Sequence, residues 1–192
     1  MTARSTRNGL NPRYTSGMRK LMTVLFLGLW SAVVCAQPAA GLRWTAPAGW
    51  KTEAARSMRA ATYTMAPAAG DKAGGECAVY FFGPGQGGSV DANIERWQGQ
   101  FKGADGRAAK AQVAKRTVHG LTVTTIDTSG EYLGMGGPMS GAPTAAAGYR
   151  MLGAIVEGPG GNVFIKFTGP QKTIAANQQK FEQLLASFQK DQ

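Results

Sequence analysis

Reactive and metal-binding side chains are scarce in this chain of 192 residues, which has two cysteines, one histidine and eleven acidic residues. Two cysteines cannot form a disulfide-dense scaffold or a four-thiolate zinc site. One histidine and one cysteine cannot hold a first-row transition metal without several carboxylates. A serine nucleophile would have to use the single histidine, and the sequence has no G-x-S-x-G elbow. We therefore expect no metal, no cofactor and no catalytic residue.

Acidic residues are absent from the N-terminal part, since the first one is Glu53. Residues 1–36 contain five basic groups, so half of the net charge of +10 belongs to this segment. The remaining charge of +5 is explained by ordinary solubility. The densest basic group, Lys110, Lys115 and Arg116, has no aromatic ladder beside it, and we expect no nucleic-acid binding.

A hydrophobic run long enough to span a membrane is also missing. Residues 21–34 are uncharged and mostly apolar, but a span needs about 20 residues. Because Arg19 and Lys20 precede this run and small side chains follow it, residues 1–36 are interpreted as a secretory signal peptide cleaved after Ala36. We expect a periplasmic or secreted protein without a stable transmembrane anchor.

Two details of this segment stay open. Met18 is a possible true start, because the residues before it are polar and contain no acid. Cys35 would be the acylated residue of a lipoprotein, but the position before such a cysteine normally holds a very small side chain, and Val34 is bulky. Simple cleavage is therefore the preferred interpretation, and lipoprotein anchoring is the minor alternative.

The rest of the chain predicts a flexible leader at residues 37–41 and one α+β domain at residues 42–189. Aromatic and β-branched runs separated by turn residues predict strands. Apolar residues that share one buried face, such as Trp97 and Phe101, predict helices. The predicted strands are 42–44, 58–65, 76–82, 111–118, 121–127 (extending toward 132), 149–156 and 162–168, and the predicted helices are 90–102 and 173–189. Short connections favour an antiparallel sheet with helices packed on it.

Two connections are distinctive. His119-Gly120 lies between two strand patterns as a two-residue hairpin turn, in which glycine supplies the positive φ. Residues 133–148 contain five glycines and no charge, which predicts a long mobile loop rich in Gly and Ala. Loops of this length are uncommon unless they are functional or disordered.

The segment 83–88 (GPGQGG) matches the dinucleotide fingerprint G-x-G-x-x-G. Its helix runs into the turn at residues 103–106 and not into a parallel strand, so nucleotide binding is disfavoured. The simpler interpretation is a glycine turn between a strand and a helix. A speculative alternative is an anion site, in which backbone N–H groups of Gly87, Gly88 and Ser89 face the anion at the helix N-terminus.

Other chemically capable side chains have structural interpretations. Cys77 lies in an apolar strand pattern without a nearby base, which predicts a buried, inert thiol. His119 is expected to be a turn residue. The tryptophans at positions 44, 50 and 97 fit the core better than a ligand cage, and the acids Asp91 and Glu95 fit the first part of a helix.

Several short segments together resemble a group of exported bacterial proteins of unknown function that is similar in outline to the PsbP-like sandwich. They are Trp44 with Pro47-Ala48-Gly49-Trp50, Ser57-Met58-Arg59-Ala60, Tyr80 to Gly83 with Gly87-Gly88, Asn93 with Arg96-Trp97 and Gln100-Phe101, Met151 to Glu157, Lys166 to Pro170, and Phe181 with Leu185 to Phe188. The resemblance covers about residues 42–188. It implies a central antiparallel sheet flanked by helices and a binding or assembly role.

We therefore expect an exported, non-enzymatic domain that binds a protein partner or a small ligand. The alternative is a hydrolase that uses scattered carboxylates or a metal. The two hypotheses differ in one structural feature, because a hydrolase of this kind needs acidic side chains from at least two elements in one pocket.

Overall fold

A computed structural model of the protein describes residues 38–134 and 145–191. Their elements, in chain order, are β1 (Leu42–Arg43), β2 (Lys51–Thr52), β3 (Arg59–Met65), β4 (Gly75–Tyr80), α1 (Val90–Gln98), β5 (Phe101–Lys102), β6 (Ala111–Val118), β7 (Leu121–Tyr132), β8 (Ala146–Gly158), β9 (Gly161–Pro170), α2 (Gln171–Ala176), α3 (Gln178–Ala186) and β10 (Gln189–Lys190). The interpreted signal peptide, residues 1–36, lies outside the described residues.

Eight strands form one sheet in the order β2-β3-β4-β9-β8-β7, with β5 and β6 both paired to β7. All of these pairings are antiparallel. This confirms the predicted α+β class with an antiparallel sheet flanked by helices. It also confirms that α1 leads into no parallel strand, as the argument against a dinucleotide site required.

The first face of the sheet packs against α2 and α3. Alternate side chains of the central strands point to this face, among them Ile165 and Phe167, which are fully buried. Phe181 of α3 lies against Phe167, with ring centroids 5.8 Å apart. Trp44 stacks on Phe188 at 5.0 Å, so this tryptophan is a core residue as predicted.

The single helix predicted at residues 173–189 is wrong in its continuity, because the structure has two helices that meet at Asn177. The backbone of Asn177 leaves the helical region, with φ −110° and ψ 6°. Its side chain donates to the carbonyl oxygen of Thr173 and accepts a hydrogen bond from Trp50 Nε1 at 3.0 Å. A polar side chain that bonds the neighbouring backbone competes with a regular helix, and this explains the break.

The second face packs against α1. Trp97 lies against Gly153 of β8, where an added Cβ would come within 2.8 Å of the indole ring. The helix ends at Gln98, with Gly99 as its C-cap, whereas the sequence predicted an extension to about Lys102. Phe101 is buried as predicted but belongs to β5, which pairs with Tyr132 of β7. The prediction of its burial was correct, and that of its backbone conformation was wrong.

The connections between strands agree in part with the expectations. His119 and Gly120 have φ of +46° and +75°, which confirms the two-residue hairpin turn. Strand β8 begins at Ala146, before the predicted end of the loop at residue 148. Residues 135–144 of that loop lie outside the described residues, so its mobility stays a prediction.

The chain ends of the described part pair with each other, since β1 and β10 form a separate two-stranded sheet. The predicted flexible leader does not extend over residues 39–41. Ala39 and Ala40 are buried, and the Gly160 N–H donates to the Ala40 carbonyl oxygen at 2.9 Å. In the described ranges, no helix combines the length and the apolar character that crossing a bilayer requires.

Candidate functional site

Two adjoining cavities lie on the second face of the sheet, beside α1. The first, of about 420 Å³, is the α1-side cavity and is lined by Tyr80, Phe82, Arg96, Trp97, Gln100, Gly134, Phe164 and Lys166. The second, of about 580 Å³, is the β3-side cavity and includes Arg59, Thr64, Glu76, Ala78, Tyr132 and Tyr149. Because both are lined by Tyr80 and Lys166, we treat them together as the Lys166 cleft. Each has a volume typical of small-ligand sites.

The cleft exists because small residues flank a long one in the sheet. Lys166 of β9 pairs with Ala78 of β4 on one side and with Gly153 of β8 on the other. Trp97 fills the space above Gly153. On the opposite side of Lys166, Ala78 lines the β3-side cavity, and its methyl group is too small to fill the space. The register of β9 against its neighbours therefore places the Lys166 side chain between two parts of the second face. Trp97 covers the part over Gly153, and the part over Ala78 is open.

Lys166 is a buried cation, with a side chain only 7% exposed. Its Nζ donates to Gln100 Oε1 at 2.7 Å and lies 5.9 Å from the centroid of the Tyr132 ring. Burial is the main cause that lowers the pKa of Lys166 to about 8, and the nearby positive charges of Arg96 and Arg59 contribute to the same lowering. The protein therefore holds an ammonium group whose charged form is destabilised by its surroundings.

The other cations of the cleft have different partners. Arg59 donates to Glu76 Oε1 at 2.8 Å, and its guanidinium carbon lies 5.3 Å from the centroid of the Tyr80 ring. Arg96 of α1 donates to Asn93 Oδ1. Asn93 is buried and donates to the carbonyl oxygens of the turn before the helix. Arg59 is thus an ion-paired residue, whereas Arg96 is oriented by a neutral amide.

Aromatic rings form the walls of the cleft. Tyr80 and Phe82 are nearly parallel with centroids 5.9 Å apart, and Phe82 lies 5.7 Å from Phe164. On the β3 side, Tyr132 and Tyr149 stack with centroids 6.0 Å apart and an interplanar angle of 6°. Burial raises the pKa of both Tyr80 and Tyr132, so their hydroxyl groups stay neutral at ordinary pH. Flat apolar surfaces of this kind accept planar ligands.

The predicted anion site lies at the turn that precedes α1. Ser89 is the N-cap, and its Oγ accepts a hydrogen bond from the Ala92 N–H at 3.2 Å. Gly87 and Gly88 have φ of +90° and +84°, and an added Cβ at Gly87 would lie 2.5 Å from the Phe164 ring. These residues therefore form the glycine turn of the simpler interpretation and pack behind the aromatic wall. Anion binding at Gly87, Gly88 and Ser89 stays a prediction.

The structure places the other singled-out side chains as follows. Cys77 is fully buried, which confirms the predicted burial, and burial raises the pKa of its thiol. His119 Nδ1 lies 2.9 Å from the Phe188 carbonyl oxygen and joins the turn to the C-terminal segment. Asp91 and Glu95 are exposed on α1. Within the described ranges, no three His, Cys, Asp or Glu side chains lie close enough together to hold a metal ion.

The basic residues on β6 and directly before it lie apart from the cleft. Lys110, Lys115 and Arg116 are exposed, and Arg116 donates to Glu182 of α3 at 2.6 Å. They belong to a solvated strand surface, as the sequence indicated.

The sequence analysis did not single out Lys166, although a usable signal was present. This residue interrupts the apolar run from Val163 to Phe167, which becomes the central strand β9. Charged side chains are rarely buried in such a strand unless they are paired. An unpaired lysine in a buried strand would therefore have been the best pointer to this site.

The sequence matches no family model and no curated protein. Among solved structures, the chain is similar to the solution structure of cyanobacterial PsbP (CyanoP) from Synechocystis sp. PCC 6803. The TM-score is 0.49 at 12% sequence identity, and the match covers 85% of this chain and 98% of that chain.

Proposed function

We propose that this protein is an exported, non-enzymatic domain that binds a small ligand in the Lys166 cleft. The observation that carries the proposal is the pair of adjoining cavities that share one buried lysine. Apolar walls with few convergent polar groups are typical of small-molecule sites. The buried side of β9 supplies Lys166, α1 supplies Arg96, and the segment directly after α1 supplies Gln100, so sheet and helix form the site together.

The distribution of carboxylates favours binding over the hydrolase alternative. Glu76 is the one acidic residue that lines the cleft, and it is paired with Arg59. Asp127 lines a separate cavity, where both of its oxygens accept hydrogen bonds from Arg150. A carboxylate mechanism needs two acids facing one substrate. Neither cavity system offers that pair among the described residues.

A protein partner was the other binding hypothesis. The uncharged loop at residues 133–148 was one of the features that favoured binding of a partner or a ligand, and residues 135–144 of this loop lie outside the described residues. The cleft is an observation of the described part, and it therefore favours the small-ligand form of the proposal.

Fluorescence titration with the neutral probe N-phenyl-1-naphthylamine tests the proposal. We expect the native protein to bind the probe and Phe82→Ala to bind it several-fold more weakly, because Phe82 forms an exposed part of the aromatic wall. Ala78→Phe should block binding by filling the β3-side cavity. Val113→Ala, which shortens an exposed apolar side chain on β6, is the matched control. Equal binding by the native protein, Phe82→Ala and a folded Ala78→Phe would refute the proposal.

Export has its own test. Mass spectrometry of the protein from a periplasmic fraction should find Gln37 as the first residue, as expected from cleavage after Ala36. A lipid attached to Cys35 would instead show that the protein is anchored as a lipoprotein. An intact N-terminus on cytosolic protein would contradict export.

A further inference from the structure

The α1-side cavity contains positive charge that the protein itself does not neutralise. Its charged lining residues are Arg96 and Lys166, and none of the described residues that line it is acidic. Neither residue forms an ion pair within 4 Å in the described part of the chain. Residues 1–37 and 135–144 contain no Asp or Glu at all. The described residues that line this cavity and the side chains of those two segments therefore supply no negative group for these two cations.

The hydrogen bond to Gln100 orients Lys166 without neutralising it. An ammonium group has three donors, and Gln100 Oε1 accepts from one of them. The Gln100 backbone is fixed, because its carbonyl oxygen accepts from the Leu133 N–H at 2.9 Å. The donor is therefore pre-positioned at the base of the cavity, and a bound anion would find it already desolvated.

Beside these cations stands an aromatic wall. Tyr80, Phe82, Trp97 and Phe164 all line the same cavity. Phe82 is 37% exposed, an unusual state for a phenylalanine whose ring lies against two other aromatic rings. A planar ligand would extend this stack, since offset stacking and edge-to-face contacts at 4.5–7 Å are favourable.

We infer that the Lys166 cleft selects an aromatic organic anion, whose acidic group pairs with Lys166 and Arg96 and whose ring lies against the aromatic wall. This inference rests on the proposed function, because it names the class of ligand for the same cleft. Charge-assisted hydrogen bonds to a desolvated ammonium group are among the strong ones. The two neighbouring cations repel each other in the empty cleft, and an anion removes that repulsion.

A pair of probes that share one aromatic skeleton tests the selection for charge. N-phenyl-1-naphthylamine is neutral, and 8-anilinonaphthalene-1-sulfonate has the same rings with a sulfonate group. We expect the native protein to bind the sulfonate at least about tenfold more tightly. Lys166→Met should reduce this ratio toward one, because the sulfonate probe should lose far more affinity than the neutral probe. Lys115→Met, at an exposed position on β6, is the charge-matched control and should keep the native ratio.

Arg96→Met is the second variant, and it removes an exposed cation without altering the sheet. It should lower the affinity for the sulfonate probe by a larger factor than the affinity for the neutral probe. Equal affinities of the native protein for the two probes, or an unchanged ratio in both variants, would overturn the inference and leave the proposed function standing. Failure of the native protein to bind either probe would overturn both.

Displacement experiments test the aromatic part of the inference. 2-Naphthoate and decanoate are both carboxylates, but only the former has rings. We expect 2-naphthoate to displace the sulfonate probe at a concentration at least several-fold lower than decanoate. Stronger displacement by decanoate would overturn the aromatic assignment and would assign the cleft to aliphatic acids such as those of lipids.

Discussion

The two faces of the sheet are built from the same strands but differ in how completely they are covered. Ile165 and Phe167 of β9 point to the first face and are fully buried beneath α2 and α3. Lys166, between them in sequence, points to the second face, which α1 covers over β8 while the cleft lies open beside it. The comparison shows that a closed apolar core on one side can support a charged, partly open site on the other.

The largest expected difference between the faces concerns their contribution to stability. Phe167→Ala should lower the free energy of unfolding by about 3–5 kcal/mol, because it leaves a cavity against Trp50 and Phe181. Phe82→Ala in the cleft should cost about 1 kcal/mol or less, since that ring is already partly exposed. Urea unfolding at pH 7 measures both. Equal losses would show that the second face is as tightly packed as the first.

The second prediction concerns the cost of the buried charge. A lowering of the Lys166 pKa from 10.5 to about 8 corresponds to about 3 kcal/mol. Between these values the unfolded chain binds the proton and the folded protein does not, so the free energy of unfolding should rise as the pH rises from about 8 to about 10.5. Lys166→Met should remove this rise and should be more stable than the native protein at pH 7, by about 3 kcal/mol at most.

Unfolding of both proteins at several pH values checks this prediction. The titratable and charged groups that line the cleft with Lys166 are Arg59, Glu76, Tyr80, Arg96, Tyr132 and Tyr149, and they are present in both proteins. The difference between the two pH profiles therefore isolates Lys166. Lys115→Met should reproduce the native profile, and a Lys166→Met variant less stable than native at pH 7 would contradict the prediction.

A smaller effect is expected where the first face uses a polar contact. Asn177→Ala removes the acceptor of Trp50 Nε1 and the donor to Thr173, and should lower the free energy of unfolding by about 1–2 kcal/mol. Gln179→Ala, two residues along on the exposed side of α3, is the matched control. A loss as small as that of the control would mean that the break between the helices needs no side chain to hold it.

The smallest effect is expected at the start of α1. Ser89→Ala removes the side-chain cap of this helix and should cost about 1 kcal/mol. Because Ser89 caps α1 only, amide hydrogen exchange within Val90–Gln98 should be faster in the variant than in the native protein, by a larger factor than within α3. Ser57→Ala, at an exposed position outside helices and strands, serves as the control. Unchanged exchange in α1 would contradict the assigned role of the cap.

Local patterns in the sequence predicted the strands well and the helix ends poorly. The His119-Gly120 turn was predictable because it lies between two strand patterns and contains a glycine, which supplies the positive φ of a two-residue hairpin turn. Phe101 shows the limit: its spacing from Trp97 predicted burial, but pairing with Tyr132 decided that a strand and not a helix buries it. Periodicity identifies which side chains are buried, whereas the backbone conformation depends on partners that are distant in sequence.

The candidate site was less predictable than the fold. Lys166 stood out in principle as a charge within an apolar strand, but the cavity around it depends on Ala78 and Gly153, which belong to two other strands. Arg96 and Gln100 were part of a recognisable helical pattern without any sign that they face a lysine. When strand register and helix packing assemble a site, the sequence of each contributing segment predicts the site only weakly.

By itself, the sequence determined the kind of protein: alternating strands with short turns, two amphipathic helical regions, few reactive side chains and a signal-like N-terminal segment. Tertiary structure alone decided which face α1 covers, and it placed Ala78 and Gly153 on either side of Lys166. The physical reason is that local propensity and periodicity act within about one element, whereas a cleft forms from contacts between elements far apart in the chain.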